Sequence, residues 1–212
     1  MGAFRDALAR GATGLETDVH LSAEGHPVLV HDGVVRRGLR RTRVDRTSTE
    51  ALRDLGVPGL ADLYAELGAG YELSVDLKVR AAALPTLRVA QAHSDEAVRR
   101  LWLCSPDLGV LEELRAHDEH VRLVHSVRRD DVRGSMERHA ADLARQRIDA
   151  FNMHRTDWTL GLVTLFQRFG LRAFAWDVQE PRHFQRVLPM GPDALYSDHV
   201  ERMVAMVAEH TA

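Results

Sequence analysis

Residues 16–31 read ETDVHLSAEGHPVLVH, and the fold is deduced outward from them. Glu16 and Asp18 stand two apart in a run with strand character, so their carboxylates project from the same face. Two acids side by side on a rigid strand repel each other unless a cation sits between them. Oxygen-only ligation of that kind suits a hard divalent ion, Mg²⁺ or Ca²⁺. A turn follows, and the apolar run HPVLV delivers His31 and Asp32 at the end of a second strand. A metal-binding pair and an imidazole so near in sequence point to metal-assisted acid–base chemistry.

On either side of this stretch, short apolar strands alternate with amphipathic helices. Strands are predicted at 14–19, 71–78, 100–104, 121–126, 149–153, 171–177 and 194–197. Helices are predicted over the first twelve residues and at 57–67, 81–92, 109–117, 133–146, 160–169, 181–189 and 200–210. Segments such as LGVLEELRAH carry apolar residues at helical spacing. No linker, low-complexity tract or short repeat divides the pattern, so residues 1–212 are expected to form a single domain. Repeated strand–helix alternation means a parallel sheet with right-handed crossovers, either a closed barrel or an open doubly wound sheet. No G-x-G-x-x-G or G-x-x-x-x-G-K follows a strand, which weakens the nucleotide-binding open sheets. Polar residues gather at the C-terminal ends of strands instead: Glu16 and Asp18, Asp76 and Lys78, Ser105, His125, Asn152 and His154, Trp176 and Asp177, Asp198. A barrel builds its site from such strand ends. Eight strands close a TIM barrel, but the pattern supplies about seven units and opens on a helix. The expected architecture is therefore α/β, a TIM (β/α)₈-type barrel lacking its first strand.

Bulk properties narrow the function. A formal charge of −3 with 28 % charged residues gives no reason to expect a nucleic-acid partner. The single cysteine, Cys104, excludes an internal disulfide framework. No apolar run approaches the roughly 20 residues that span a bilayer, and MGAFRDALARGA has no signal-peptide h-region. The expected location is the cytoplasm. Lys78 is the only lysine; arginine supplies every other basic side chain, as codon usage in a GC-rich genome would produce. The surviving lysine then marks a position that needs a compact ammonium.

These residues resemble the glycerophosphodiester phosphodiesterases, which are (β/α)₈ barrels. The resemblance rests on GATGLETDVHLSAEGHPVLVHD, VPGLADLYAEL, LSVDLK, FGLRAFAWDVQEPRHF and PDALYSDHVERM, and covers essentially the whole chain. The first piece is the most specific, combining the E-x-D pair, a turn and H-D. Asp76 in VDLK departs from the family's E-x-K. The family's first strand ends in H-R-G and is followed by P-E-N-T; this sequence has neither, and Met1-Gly2-Ala3-Phe4 matches the pattern just after E-N-T. A start codon assigned too late is favoured over a genuinely shortened relative, because a core strand is missing along with a histidine, an arginine and a glutamate.

The resemblance implies a small-molecule glycerophosphodiester as substrate, hydrolysed to glycerol 3-phosphate and an alcohol, and a divalent metal held by Glu16, Asp18 and Asp76. Aspartate at 76 is one methylene short, so weaker affinity or altered metal preference is expected. His31 becomes a general acid or base, Lys78 neutralises a phosphate oxygen as charge builds, and Trp176 contacts the substrate's glycerol. His125 and His154 are lesser candidates to line the mouth, while His20 and His26 flank the turn. The run Arg36, Arg37, Arg40, Arg41, Arg43 and Arg46 is expected to be a solvated loop, with a patch for anionic headgroups as the alternative. Lacking one acid–base group and the arginine, the 212 residues are expected to be poorly active. Two alternatives stand: a non-catalytic barrel that binds a phosphodiester or a protein partner, and a sphingomyelinase-D-like phospholipase.

Overall fold

The structure, a computed structural model, describes residues 1–38 and 40–211; the side chain of Arg40 also lies outside the description. The backbone gathers into two compact units. Unit 1 comprises residues 1–5, 13–104 and 113–122, and unit 2 comprises residues 6–12, 105–112 and 123–212.

The chain opens on helix α1 (Gly2–Ala9), of which residues 2–5 belong to unit 1 and the rest to unit 2, and unit 1 continues with β1 (Gly14–Leu21), β2 (Pro27–Leu29), β3 (Val34–Arg37) and β4 (Arg40–Arg43). It continues through α2 (Thr49–Asp54), α3 (Leu60–Leu67), β5 (Glu72–Leu77), α4 (Ala83–His93), α5 (Asp95–Arg99) and β6 (Leu101–Ser105). The strands pair in the order β6-β5-β1-β2, parallel except for the antiparallel β1–β2 edge. Alternation explains β1: Leu15, Thr17 and Val19 are buried, while Glu16, Asp18 and His20 face the other way. Gly14 is required by the close approach of β1 to β5, since a Cβ there would lie 2.8 Å from the Glu72 carbonyl oxygen.

The arginine run is a hairpin, not the loop expected from its charge. β3 and β4 pair antiparallel, with Val35 opposite Thr42 and Arg36 opposite Arg41. Val35 packs against the buried cluster of Val28, Val44, Leu52 and Val57, which fastens the hairpin to the unit. Gly38 takes φ +59° at the turn, in the left-handed region that glycine tolerates best.

Helices α2 and α5, absent from the sequence expectation, are each started by a serine. The Ala51 amide donates to Ser48 Oγ and the Ala97 amide to Ser94 Oγ, at 3.3 and 3.1 Å. The helix expected to start at 57 instead starts at Leu60. There Asp62 accepts the Gly59 amide at 2.7 Å and pairs with Arg53.

After α6 (Leu108–His117), unit 2 repeats the strand–helix rhythm in β7 (Arg122–Ser126), α7 (Met136–Arg145), β8 (Ala150–His154), α8 (Leu160–Arg168), β9 (Arg172–Trp176), α9 (Pro181–Val187), β10 (Ala194–Leu195) and α10 (Val200–Thr211). Strands β7, β8, β9 and β10 are successive parallel neighbours. The unit's core is aromatic. Phe151 stacks on Phe166 at 4.6 Å, Trp158 meets Phe166 edge-on at 5.7 Å, and the Trp158 indole N–H donates to the Phe174 carbonyl at 2.8 Å. Among the described residues no helix is long and apolar enough to cross a membrane.

Candidate active site

Asp18 and Asp76 are register partners on the parallel strands β1 and β5, so their side chains leave the sheet side by side. Lys78 follows β5, its amide donating to the Val19 carbonyl at 3.1 Å. Its ammonium donates to Asp18 Oδ1 and to Asp76 Oδ2, both at 2.7 Å. These side chains keep 27 % (Lys78), 16 % (Asp18) and 34 % (Asp76) of their surface exposed, so solvent screens them only in part. Burial pulls the ammonium pKa down, but the hydrogen bonds to the two carboxylates outweigh it and hold the group above its ordinary value. Lys78 therefore stays protonated at physiological pH.

Glu16 lies two residues before Asp18 on the same exposed row of β1, in register with Ser74. Behind it Cys104 is buried, its thiol 3.3 Å from Ser74 Oγ. Burial pushes that thiol pKa well up, which leaves it a poor nucleophile.

β2 ends at Leu29, two residues short of His31. The Val30 amide still donates to the Asp18 carbonyl at 3.1 Å, which brings the backbone before His31 alongside Asp18. The imidazole itself is 76 % exposed and hydrogen-bonds Asp32 Oδ1 through Nδ1 at 3.0 Å. His20, expected at the turn, is within β1, and its Nε2–H donates to the His31 carbonyl at 3.3 Å. That pinning contact crosses between strands and has no local sequence signature.

Trp176 ends β9 in unit 2 and belongs to a polar cluster of that unit. Its ring meets His154 edge-on at 4.6 Å, and the Arg128 guanidinium stands 5.8 Å from its centroid. His154 Nε2–H donates to Asp177 Oδ2 at 2.9 Å, while Arg155 Nε–H donates to the Asp177 carbonyl at 2.6 Å. Burial would raise the Asp177 carboxyl pKa, yet the His154 hydrogen bond and the Arg155 charge hold it below its ordinary value. Asp177 sits at φ +63°, a conformation costly outside glycine and sustained here by these bonds. Arg128 pairs with Asp157 at 2.7 Å, a contact between residues far apart in the chain that has no local signature.

His125, considered for the mouth, is instead a core residue, 5 % exposed. Its Nε2–H donates to the Pro106 carbonyl at 3.2 Å, and Nδ1 meets His139 Nε2 at 3.1 Å. Burial, reinforced by His139, pushes its pKa down to about 4.

Asp18, Asp76 and Glu16 offer hard oxygen donors, the kind a divalent cation such as Mg²⁺ or Ca²⁺ takes. The point on which Asp18 and Asp76 converge already holds positive charge, in the form of the Lys78 ammonium. The donors match such an ion in chemical type, but the ammonium occupies the point between two of them. Among the described residues no group of three or more His, Cys, Asp and Glu side chains is gathered as a metal cage.

Comparison with known proteins defines the class. A solved glycerophosphodiester phosphodiesterase from Thermotoga maritima superposes with a TM-score of 0.83 at 21 % identity, covering 97 % of this chain and 90 % of that one. A phosphodiesterase from Oleispira antarctica, solved with its product sn-glycerol-3-phosphate, gives 0.81 at 18 % identity over 97 % and 90 %. The fold is thus an α/β fold of the TIM-barrel type. In sequence, a glycerophosphodiester phosphodiesterase from Caldanaerobacter subterraneus is 21 % identical across 98 % of this chain and 90 % of its own length. The glycerophosphoryl diester phosphodiesterase family profile matches residues 1–202, and the chain belongs to that family.

Proposed function

We propose that this protein is a metal-dependent phosphodiester hydrolase that releases glycerol 3-phosphate and an alcohol from glycerophosphodiesters. The convergence of Asp18 and Asp76 on the Lys78 ammonium carries this reading. A protonated amine held by two carboxylates suits the neutralisation of a phosphodiester oxygen as negative charge builds. The family match and the product-bound Oleispira relative support the choice of substrate.

A divalent ion bound by Glu16, Asp18 and Asp76 would polarise the phosphoryl group. Asp32 orients His31: with Nδ1–H donated to the carboxylate, Nε2 is left to exchange a proton with the reacting oxygen. His20 limits the drift of that imidazole by tying down the His31 carbonyl. The given residues contain no H-R-G run. Without the second imidazole, turnover by these 212 residues is expected to be on the order of 10²–10⁴ below that of a chain carrying one.

The test is release of glycerol 3-phosphate from glycerophosphocholine, followed by coupled detection with and without a chelator. Slow release that the chelator abolishes is expected. Release that survives chelation would remove the metal from the reading. No release from any glycerophosphodiester, together with no calorimetric binding of glycerol 3-phosphate, would overturn the reading itself.

A further inference from the structure

The β3–β4 hairpin carries positive charge that is only partly compensated among the described residues. Arg36 and Arg41 stand directly opposite each other on one face of the two strands, while Arg37, one residue on, projects from the other face. Like charges in that relation destabilise a strand pair. Arg36, Arg37 and Arg41 are exposed, and none has an ion-pair partner among the described residues. Arg43 on the same hairpin is different, since Asp45 takes both its Nε–H and a terminal N–H at 2.9 and 2.6 Å.

We propose that the tip of this hairpin is a docking element for anionic lipid bilayers, entering the headgroup layer end-on with Arg36 and Arg41 on one face and Arg37 on the other. An external layer of negative charge relieves the repulsion that the native contacts leave standing. The hairpin is built to bear that load: Val35 anchors it in the buried cluster, and the Val44 amide donates to the Gly33 carbonyl at 3.0 Å to close its base. The chain's net charge of −3 confines the attraction to this patch. Residues 34–43, VVRRGLRRTR, include no aromatic ring on which a nucleic-acid base would stack, which favours a lipid surface over a single-stranded polyanion. The hairpin also begins three residues after His31 in the chain. The preference for phosphodiester-bearing headgroups rests on the function proposed above; the electrostatics do not.

Co-sedimentation with phosphatidylcholine vesicles, with and without phosphatidylglycerol, tests the proposal. The protein should bind the phosphatidylglycerol vesicles at low salt, release them as salt rises, and ignore pure phosphatidylcholine. Each arginine near an anionic surface multiplies affinity about fivefold, so Arg36→Gln/Arg37→Gln/Arg41→Gln should weaken binding on the order of 100-fold. Because repulsion is removed, that variant should melt no lower than the wild type. Lost binding with an unchanged or raised melting temperature supports docking. Wild-type indifference to phosphatidylglycerol, undiminished binding by the variant, a lowered melting temperature, or displacement of the vesicles by polyuridylate would each overturn it. Vesicle binding needs no turnover, so an inactive catalytic site would leave this result standing.

Discussion

Lys78 shows how much one side chain decides. Replacing it with methionine leaves Asp18 and Asp76 as neighbouring carboxylates with nothing between them. Because solvent still reaches all three positions, the loss should be about 1–2 kcal/mol at neutral pH. Urea midpoints of the two proteins at neutral pH measure it. The same substitution should lower turnover about 10²–10³-fold by removing charge stabilisation of the phosphoryl oxygens. Equal activity in Lys78→Met would remove Lys78 from the proposed machinery. Asp76→Glu restores the missing methylene and should tighten divalent-ion binding in calorimetry; no change would count against a ligand role. The uniqueness of this lysine was plain in the sequence. That it bridges two acids was not, because Asp18 and Asp76 meet through register between strands far apart in the chain.

At the level of elements, register is the quantity that matters. Gly14 lets β1 come close enough to β5 to set it. Gly14→Ala should cost about 1–3 kcal/mol, since the new methyl meets backbone that cannot rotate away. The expected signature is a lower urea midpoint with an unchanged slope. β1 was legible from its alternation, and most unit 2 strands from short apolar runs. The β3–β4 hairpin was hidden because its arginines mask Val34, Val35 and Thr42, whose branched side chains favour strands. Helices α2 and α5 were missed for a different reason. They are short, and their serine caps are readable only when a helix is already suspected.

Across the whole molecule, stability should depend on pH through the buried imidazoles. His125 has an ordinary value of 6.5 and is held near 4 in the folded state. His139 is lowered as well, with burial the main cause. Between these values the unfolded chain binds a proton that the native state refuses. Stability is therefore complete above 6.5 and falls as pH drops toward 4, by up to about 3 kcal/mol from His125 alone. Chemical denaturation across that interval measures the slope, and His125→Phe should flatten it. The family, the alternating α/β plan and the Glu16–Asp18 pair were all determined by the sequence, because periodicity and short motifs are local properties that survive without coordinates. The tertiary structure decided which charges meet: Lys78 with two acids, His31 with Asp32, His125 with His139, and arginines left facing one another on a hairpin. Those outcomes depend on strand register and burial, which arise from the packing of distant segments and leave no mark within any single stretch of residues.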